Sequence, residues 1–175
     1  MRYLLAILSG GLLVLSFPPY DLWPLAWIAL VPVFIAIRAS KSLFKAAVGG
    51  GLAYLAFFSG LLHWIRIYHP LAIPFTLLAL TLYGVGFGLI LKCVENKHKG
   101  SFVAPFVWVG IEYLRSLGVL GFPWGVLGYS QYKQLVVIQV ADITGVWGIS
   151  FLIVWVNSYL ADLCLAWRES LLAEK

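Results

Sequence analysis

Residues 107–131 read VWVGIEYLRSLGVLGFPWGVLGYSQ. The first part is an apolar segment that carries Glu112 and Arg115, which are three positions apart and share one face of a helix. A turn rich in glycine and proline follows, and it holds Trp124, Tyr129 and Gln131. A membrane tolerates charged side chains and irregular backbone only where protein or a water-filled cavity shelters them. The stretch therefore indicates a membrane helix that ends in a structured loop, and this loop is the first place to look for function.

The composition of the whole chain also points to a membrane protein. Of its 175 residues, 62% are hydrophobic and 11% are charged, whereas about a quarter of the residues of a soluble domain are charged. The mean hydropathy is +0.96. The eight tryptophans suit the membrane interface, where amphipathic rings anchor. The net charge of +5 falls in short clusters between apolar segments, which argues against nucleic-acid binding.

Apolar runs near 20 residues predict helices that cross a bilayer. We predict an all-α, polytopic integral membrane helix bundle in a single transmembrane domain covering 1–175. The N-terminus resembles a signal peptide, but no small-residue cleavage pattern precedes Pro18, so we expect a retained first helix. The predicted spans are roughly 2–17, 23–38, 45–66, 71–94, 101–118 and 146–167, with 134–145 as an interfacial approach.

The distribution of lysine and arginine predicts the orientation. With six spans and a cytoplasmic N-terminus, the C-terminus is also cytoplasmic and the loops at 18–22, 67–70 and 119–133 face outward. The basic residues are then strongly biased to the inside, as short loops of membrane proteins require. Nine lie inside, namely Arg2, Arg38, Lys41, Lys45, Lys92, Lys97, Lys99, Arg168 and Lys175, and three lie outside, namely Arg66, Arg115 and Lys133.

Five polar or aromatic residues are the candidate site. Glu112 and Arg115 are either a mutually neutralising pair that holds the outer loop, or a pair in which Arg115 binds a lipid phosphate or a substrate carboxylate while Glu112 positions it. Trp124 and Tyr129, with Gln131, are either interfacial anchors or a rim that guides a lipid or a peptide. We predict that all five line the outer rim of a lipid-accessible cavity.

Histidine, cysteine and aspartate give weaker signals. His63 and His69 are six apart, a poor spacing for a helical metal site, so no metal or cofactor is expected. Cys93 and Cys164 lie in apolar segments and are expected to be buried free thiols. The remaining acidic candidates are polar contacts between helices, namely Asp142 and Asp162.

Glycine patterns indicate close helix packing. Gly84 and Gly88 form a Gly-xxx-Gly pair, and three consecutive glycines open the third span at 49–51. Small residues let membrane helices pack backbone to backbone. The alternatives are packing within the chain, which we favour, and a homodimer face.

Known catalytic motifs are missing from the sequence. We find no nucleophile elbow, zinc-protease motif or P-loop. The run from Gly145 to Ser150 superficially resembles a membrane serine-protease motif. It lacks the Gly-x-Ser-Gly order, and no later histidine follows Ser150.

Three blocks in order resemble the membrane part of bacterial apolipoprotein N-acyltransferases: Glu112-Tyr-Leu-Arg115, Gly121-Phe-Pro-Trp124 and Gly128-Tyr-Ser-Gln131. Three flanking segments are similar to other parts of that family. Phe17–Pro24 looks like its first outer loop, Ser59–Trp64 like the end of its third span, and Gly145–Phe151 like part of its sixth.

The resemblance implies a multi-pass protein of the bacterial cytoplasmic (inner) membrane. Members of the family move an acyl chain from a phospholipid donor to the amino group of a diacylglyceryl lipoprotein. They use a nitrilase-like domain outside the membrane, in which a Cys forms a thioester and Glu and Lys assist. We expect that domain to be missing from this chain. Cys93 and Cys164 fall toward the cytoplasmic ends of their spans, away from that chemistry, so we carry over no catalytic residue and expect the chain to be inactive alone.

Two alternatives stay open at this point. One is a subunit from a split gene that needs a separately encoded nitrilase-like partner. The other is an unrelated six-span substrate-binding or transporter subunit.

Overall fold

The computed structural model describes residues 1–67, 71–94, 100–118 and 121–173. These residues form helices and no strands, as the sequence predicts. The α-helices are α1 (Arg2–Leu15), α2 (Ala26–Ala29), α3 (Val31–Arg38), α4 (Leu43–Leu61), α5 (Ala72–Val94), α6 (Gly100–Ser116), α7 (Leu135–Ile138) and α8 (Ala141–Ala173). Three short 3₁₀ helices lie at Trp23–Leu25, His63–Ile67 and Leu127–Gln131.

Three of the described helices are long and apolar enough to cross a membrane: α4, α5 and α8. Two shorter apolar helical segments, Arg2–Leu15 and Trp23–Arg38, accompany them. Helix α5 carries large side chains on its exposed face, with Phe75 70% and Leu82 61% exposed. An exposed apolar stripe of this kind suits contact with lipid tails and not with water.

Helix α4 lies between α1 and α5, and small residues set both contacts. A Cβ on Gly84 of α5 would lie 2.6 Å from the carbonyl oxygen of Gly50 in α4. A Cβ on Gly10 of α1 would lie 2.5 Å from the Cβ of Ala56 in α4. The Gly84 and Gly88 pair therefore serves packing within the chain, the alternative that we favoured from the sequence.

Aromatic rings fill the middle of the bundle. The ring centres of Tyr54 and Phe58 of α4 are 5.7 Å apart, and those of Tyr54 and Trp108 of α6 are 5.4 Å apart. Trp108 contacts Phe87 of α5 edge to face at 5.1 Å, and Phe87 contacts Phe34 of α3. These pairs join four helices into one core, with geometries that aromatic rings prefer.

The second predicted span is interrupted between α2 and α3, where Pro32 follows Val31. Proline cannot donate a backbone hydrogen bond, so a helix breaks around it. The freed backbone groups find side-chain partners: Leu30 N donates to Asn157 Oδ1 of α8 at 2.8 Å, and Val33 N donates to Ser9 Oγ of α1 at 2.8 Å. The backbone N–H groups at the break are thus hydrogen-bonded inside the protein, as a nonpolar environment requires.

Helix α8 contains a second interruption. Gly145 has φ 64° and ψ −174°, a backbone conformation open in practice only to glycine. The part of α8 before Gly145 belongs to the segment that we predicted as interfacial, and the part after it includes the predicted span 146–167.

Polar contacts connect α3, α5 and α8 at one end of the bundle. Arg38 of α3 donates to Ser158 O and forms an ion pair with Asp162 of α8, both at 2.8 Å, and Lys92 of α5 donates to Arg38 O. The predicted helix-to-helix contact of Asp162 is therefore present, whereas Asp142 is exposed. Cys93 and Cys164 are free, as expected, but both are exposed on helix surfaces and not buried.

Candidate functional site

Two buried side chains of α6 hold the loop that follows this helix. Glu112 is 1% exposed, and its Oε1 accepts a hydrogen bond from Leu127 N at 2.7 Å. Arg115 is 3% exposed, and its Nη1 donates to Phe122 O at 2.7 Å and to Trp124 O. The Arg115 guanidinium also lies 5.2 Å from the centre of the Phe58 ring. Both charged residues therefore bind the loop, and they do so through its backbone.

Glu112 and Arg115 form no direct ion pair within the described residues. Instead of neutralising each other in contact, they hold two separate points of the loop. Glu112 Oε2 and Arg115 Nε are buried without a hydrogen-bond partner in the described part of the chain, and so is Trp108 Nε1 one turn earlier. Of the two sequence interpretations, the loop-holding one describes these contacts, but without the direct pairing that it assumed.

Ser150 of α8 provides a third attachment that sequence reasoning missed. Its Oγ accepts a hydrogen bond from Gly128 N at 2.9 Å. Gly128 lies so close to α8 that a Cβ there would be 2.6 Å from Val146 O. A small polar residue after a glycine-rich break was the available signal, but we considered Ser150 only as a nucleophile.

Gln131 connects this loop to the start of the second predicted span. It is fully buried, and its side chain accepts from Trp27 Nε1 at 3.1 Å and donates to Trp23 O at 3.2 Å. Gln131 Nε2 also donates to Ser130 Oγ at 2.9 Å. Gln131 therefore lies beneath the surface of the loop.

Trp124 and Tyr129 differ from the other three predicted residues because they are exposed, by 55% and 48%. Both line a cavity of about 790 Å³. The loop after α1 forms its opposite wall, and the end of α4 forms a third side. The cavity is lined by Val14, Phe17, Pro18, Pro19, Tyr20, Gly60, Leu61, Leu62, His63, Trp64, Trp124, Gly125 and Tyr129. We call this space the aromatic cavity.

The rings around the aromatic cavity support one another. Trp64 meets Trp124 edge to face at 5.3 Å between ring centres, and Phe122 lies 5.2 Å from Trp124. Gly125 has φ 72°, and a Cβ there would come within 2.8 Å of both Leu61 and Phe58. Only glycine fits this turn, which lets Trp124 lie against the end of α4.

Asp21, Tyr132 and Lys133 form a polar cluster at the same end of the bundle, which we call the clip. Asp21 accepts hydrogen bonds from Tyr132 OH at 3.0 Å and from Lys133 Nζ, so the loop after α1 is tied to the residues before α7. The hydrogen bond from Lys133 lowers the pKa of the Asp21 carboxyl, and the Tyr132 hydroxyl adds to this effect. The hydrogen bond to Asp21 raises the pKa of Lys133.

The structure describes His63 but not His69. His63 Nδ1 contacts Gly60 O at 2.8 Å, so this ring is held by the end of α4. Residues 68–70, including His69, lie outside the described residues, as do Lys97, Lys99 and Lys175. Within the described ranges, no group of three His, Cys, Asp or Glu residues is arranged to hold a metal ion.

The arrangement can hold an amphipathic ligand. The aromatic cavity combines rings with the polar edges of tyrosine, histidine and tryptophan, a lining that suits molecules at a membrane surface. Fold and site together define a helical membrane domain with an amphipathic pocket at one end.

Comparisons with known proteins identify the family of this domain. Residues 9–159 match the apolipoprotein N-acyltransferase N-terminal domain. Proteins named apolipoprotein N-acyltransferase from Geobacter metallireducens and Pasteurella multocida are 41% and 30% identical over 170 and 175 residues. A protein named apolipoprotein N-acyltransferase 1 from Treponema denticola is 38% identical over 172 residues.

The chain belongs to the apolipoprotein N-acyltransferase family. The matches cover 90%, 93% and 92% of the chain for the Geobacter, Treponema and Pasteurella proteins, but only 32%, 31% and 32% of those proteins. The chain thus spans about a third of the length of the curated relatives it matches. These similarities do not favour the alternative of an unrelated transporter subunit.

Proposed function

We propose that this chain is the membrane portion of an apolipoprotein N-acyltransferase and that the aromatic cavity guides its substrates. The substrates are a phospholipid that donates an acyl chain and a diacylglyceryl lipoprotein that accepts it. A nitrilase-like domain with a Glu–Lys–Cys set performs the transfer, and this chain anchors that domain in the bacterial inner membrane. The relatives' names and their greater length support this assignment.

The observation that carries the proposal is the construction of the aromatic cavity. Exposed Trp124 and Tyr129 face the loop after α1, while buried Glu112, Arg115 and Gln131 fix the backbone that presents them. Rings that stay in place can bind a lipid or a lipidated N-terminus with little loss of entropy. In this proposal, the five predicted residues divide into two that contact the substrate and three that position those two.

We also propose six spans in one transmembrane domain, with both termini in the cytoplasm. The contacts at the two ends support this arrangement, because Arg38, Lys92 and Asp162 meet at one end while Asp21, Trp64 and Lys133 lie at the other. Each proposed span then runs from one of these ends to the other. The end with Arg38 and Lys92 faces the cytoplasm, because most of the basic residues lie on that side.

The test is made in cells depleted of their own N-acyltransferase. The chain is expressed alone and, separately, joined to a nitrilase-like domain with its closing span, and lipoprotein triacylation is followed by mass spectrometry. We expect triacylation only from the joined protein. Triacylation by the chain alone would contradict its role as an anchor and guide. No triacylation from either, with expression verified, would count against the proposed function.

The cavity itself is tested in the joined protein with paired aromatic variants. The double variant Trp124→Ala/Tyr129→Ala should reduce triacylation about 30-fold or more, since truncating an aromatic side chain that matters for binding costs at least about 1 kcal/mol, and two cost at least about 2 kcal/mol. The matched control is Tyr159→Ala/Trp167→Ala, two aromatic residues of α8 that are 55% and 69% exposed and lie outside the cavity. Equal losses in both double variants would show that the cavity has no special role.

A further inference from the structure

A second cavity lies at the end of the bundle opposite the aromatic cavity. It has a volume of about 340 Å³ and is lined by Met1, Arg2, Tyr3, Ala36, Lys45 and Gly49. Ala36 is two residues from Arg38, whose contacts with Ser158 and Asp162 mark this end. The two cavities therefore share no residue, and a ligand in one does not touch the other.

The second cavity is lined by two cationic side chains and by no anionic side chain. Arg2 and Lys45 come from α1 and α4, and no carboxylate is among the lining residues. Neither side chain has a hydrogen-bond or ion-pair partner within the described residues. Asp162 does not line the cavity, and it is bound to Arg38. Two unpaired cations beside the Tyr3 hydroxyl form a site that attracts an anion with hydrogen-bond acceptors.

The surface beside the second cavity is apolar. Leu4 and Leu8 lie one turn apart on α1 and are 70% and 50% exposed. Leu43 and Phe44 at the start of α4 are 47% and 75% exposed. A cationic pocket that borders an exposed apolar surface matches a molecule with an anionic head and an apolar tail, and a free phosphate would leave this surface unused.

We propose that the second cavity binds the headgroup phosphate of an anionic phospholipid such as phosphatidylglycerol. Arg2 and Lys45 contact the phosphate, Tyr3 donates a hydrogen bond to it, and the acyl chains lie along the exposed leucines of α1 and the start of α4. The lipid thereby ties α1 to α4 at this end of the bundle. The site goes beyond the proposed function, because it needs neither a substrate nor a catalytic domain.

The test measures lipid binding by the full chain in detergent with native mass spectrometry. The titrants are phosphatidylglycerol, phosphatidylcholine with the same acyl chains, and glycerol phosphate. We expect tightest binding of phosphatidylglycerol. One basic side chain near an anionic headgroup changes the Kd about fivefold, so Arg2→Gln/Lys45→Gln should weaken this binding about 25-fold.

The control removes two charges elsewhere. Lys41→Gln/Arg168→Gln changes two exposed residues that do not line the cavity, and it should leave the Kd for phosphatidylglycerol within about twofold. Equal weakening in both double variants would overturn the site in favour of diffuse attraction. Equal affinity of the unmodified chain for both phospholipids would also overturn it, and so would glycerol phosphate binding as tightly as the lipid.

A second measurement does not depend on the folding of any variant. Phosphatidylglycerol with a photoreactive headgroup is cross-linked to the unmodified chain, and the adducts are mapped by peptide mass spectrometry. We expect adducts concentrated in residues 1–8 and 42–49. Adducts confined to the aromatic cavity, with none in residues 1–8 or 42–49, would contradict the proposal.

Discussion

Glu112 and Arg115 act on the backbone of the loop at 121–131, and each does so from a nearly fully buried position. A charged side chain stays buried only when hydrogen bonds replace its hydration. Here the amide of Leu127 binds Glu112 Oε1, and the carbonyls of Phe122 and Trp124 bind Arg115 Nη1. Glu112 Oε2 and Arg115 Nε are buried without a hydrogen-bond partner among the described residues. Two charged residues in an apolar helix therefore give the following loop a fixed shape.

The first prediction concerns Arg115. Arg115→Ala removes the donors to Phe122 O and Trp124 O, and it should lower the free energy of unfolding by roughly 2–4 kcal/mol. Thermal midpoints in detergent measure this, and hydrogen exchange of residues 121–131 should become faster. Arg66→Ala, a change at an exposed arginine, is the control and should stay within about 0.5 kcal/mol. Unchanged exchange in the loop would contradict the prediction.

The second prediction concerns the pH dependence of the clip between Asp21 and Lys133. Because the pKa of Asp21 is lowered in the folded protein, the carboxylate stabilises the fold above its unfolded pKa, about 3.9. This contribution is lost as the pH falls through the folded pKa. Because the pKa of Lys133 is raised, its contribution is present below about pH 10.4 and is lost at higher pH.

Thermal midpoints of the unmodified chain and Asp21→Asn, measured against pH, test the clip. We expect a small advantage of the unmodified chain at neutral pH, since an exposed ion pair contributes little. The two curves should meet at acidic pH below the folded pKa of Asp21. A constant difference down to pH 2 would mean that the carboxylate charge does not contribute.

At the scale of elements, the contact between α4 and α5 depends on glycines at particular positions. Gly84 and Gly88 face α4, where a Cβ would meet Gly50 O and Ala46 O. Gly86 belongs to the same run, but a Cβ there would meet nothing within 4 Å. The run Gly84-Val-Gly86-Phe-Gly88 has three glycines, and the structure distinguishes Gly84 and Gly88 from Gly86.

The third prediction uses this difference. Gly84→Ala and Gly88→Ala should each destabilise the protein by roughly 1–3 kcal/mol, because the added methyl group forces the helices apart. Gly86→Ala should be neutral or stabilising by up to about 1 kcal/mol, because alanine favours the helix. Thermal midpoints in detergent compare the three variants. Equal effects at all three positions would show that backbone contact is not the cause.

At the scale of the whole molecule, polar contacts sort the chain into two ends. The contacts of Arg38 with α8 lie at one end, and the aromatic cavity with the Asp21 clip lies at the other. A bilayer has two surfaces about 30 Å apart, so such a division fits a bundle that spans it. Because most basic residues lie toward the end with Arg38, we propose that this end faces the cytoplasm and that the aromatic cavity faces outward.

The fourth prediction tests the proposed orientation. In a background of Cys93→Ala and Cys164→Ala, single cysteines are placed by Tyr20→Cys at one end and Lys41→Cys at the other. A membrane-impermeant maleimide should label position 20 in intact spheroplasts and position 41 only after lysis. The reverse pattern would invert the orientation, and labelling of both positions in intact cells would contradict the alternation of spans.

The sequence alone determined the helical class, the family resemblance and the five candidate residues, because apolar runs and rare intramembrane charges are local signals. Only the tertiary structure decided which residues are exposed, since burial depends on neighbours distant in sequence. Gln131 is buried because Trp23 and Trp27 cover it from more than 100 positions away. Ser150 and Asn157 are ordinary polar residues in a helix until the chain folds, and then each binds a broken backbone segment of another part of the chain.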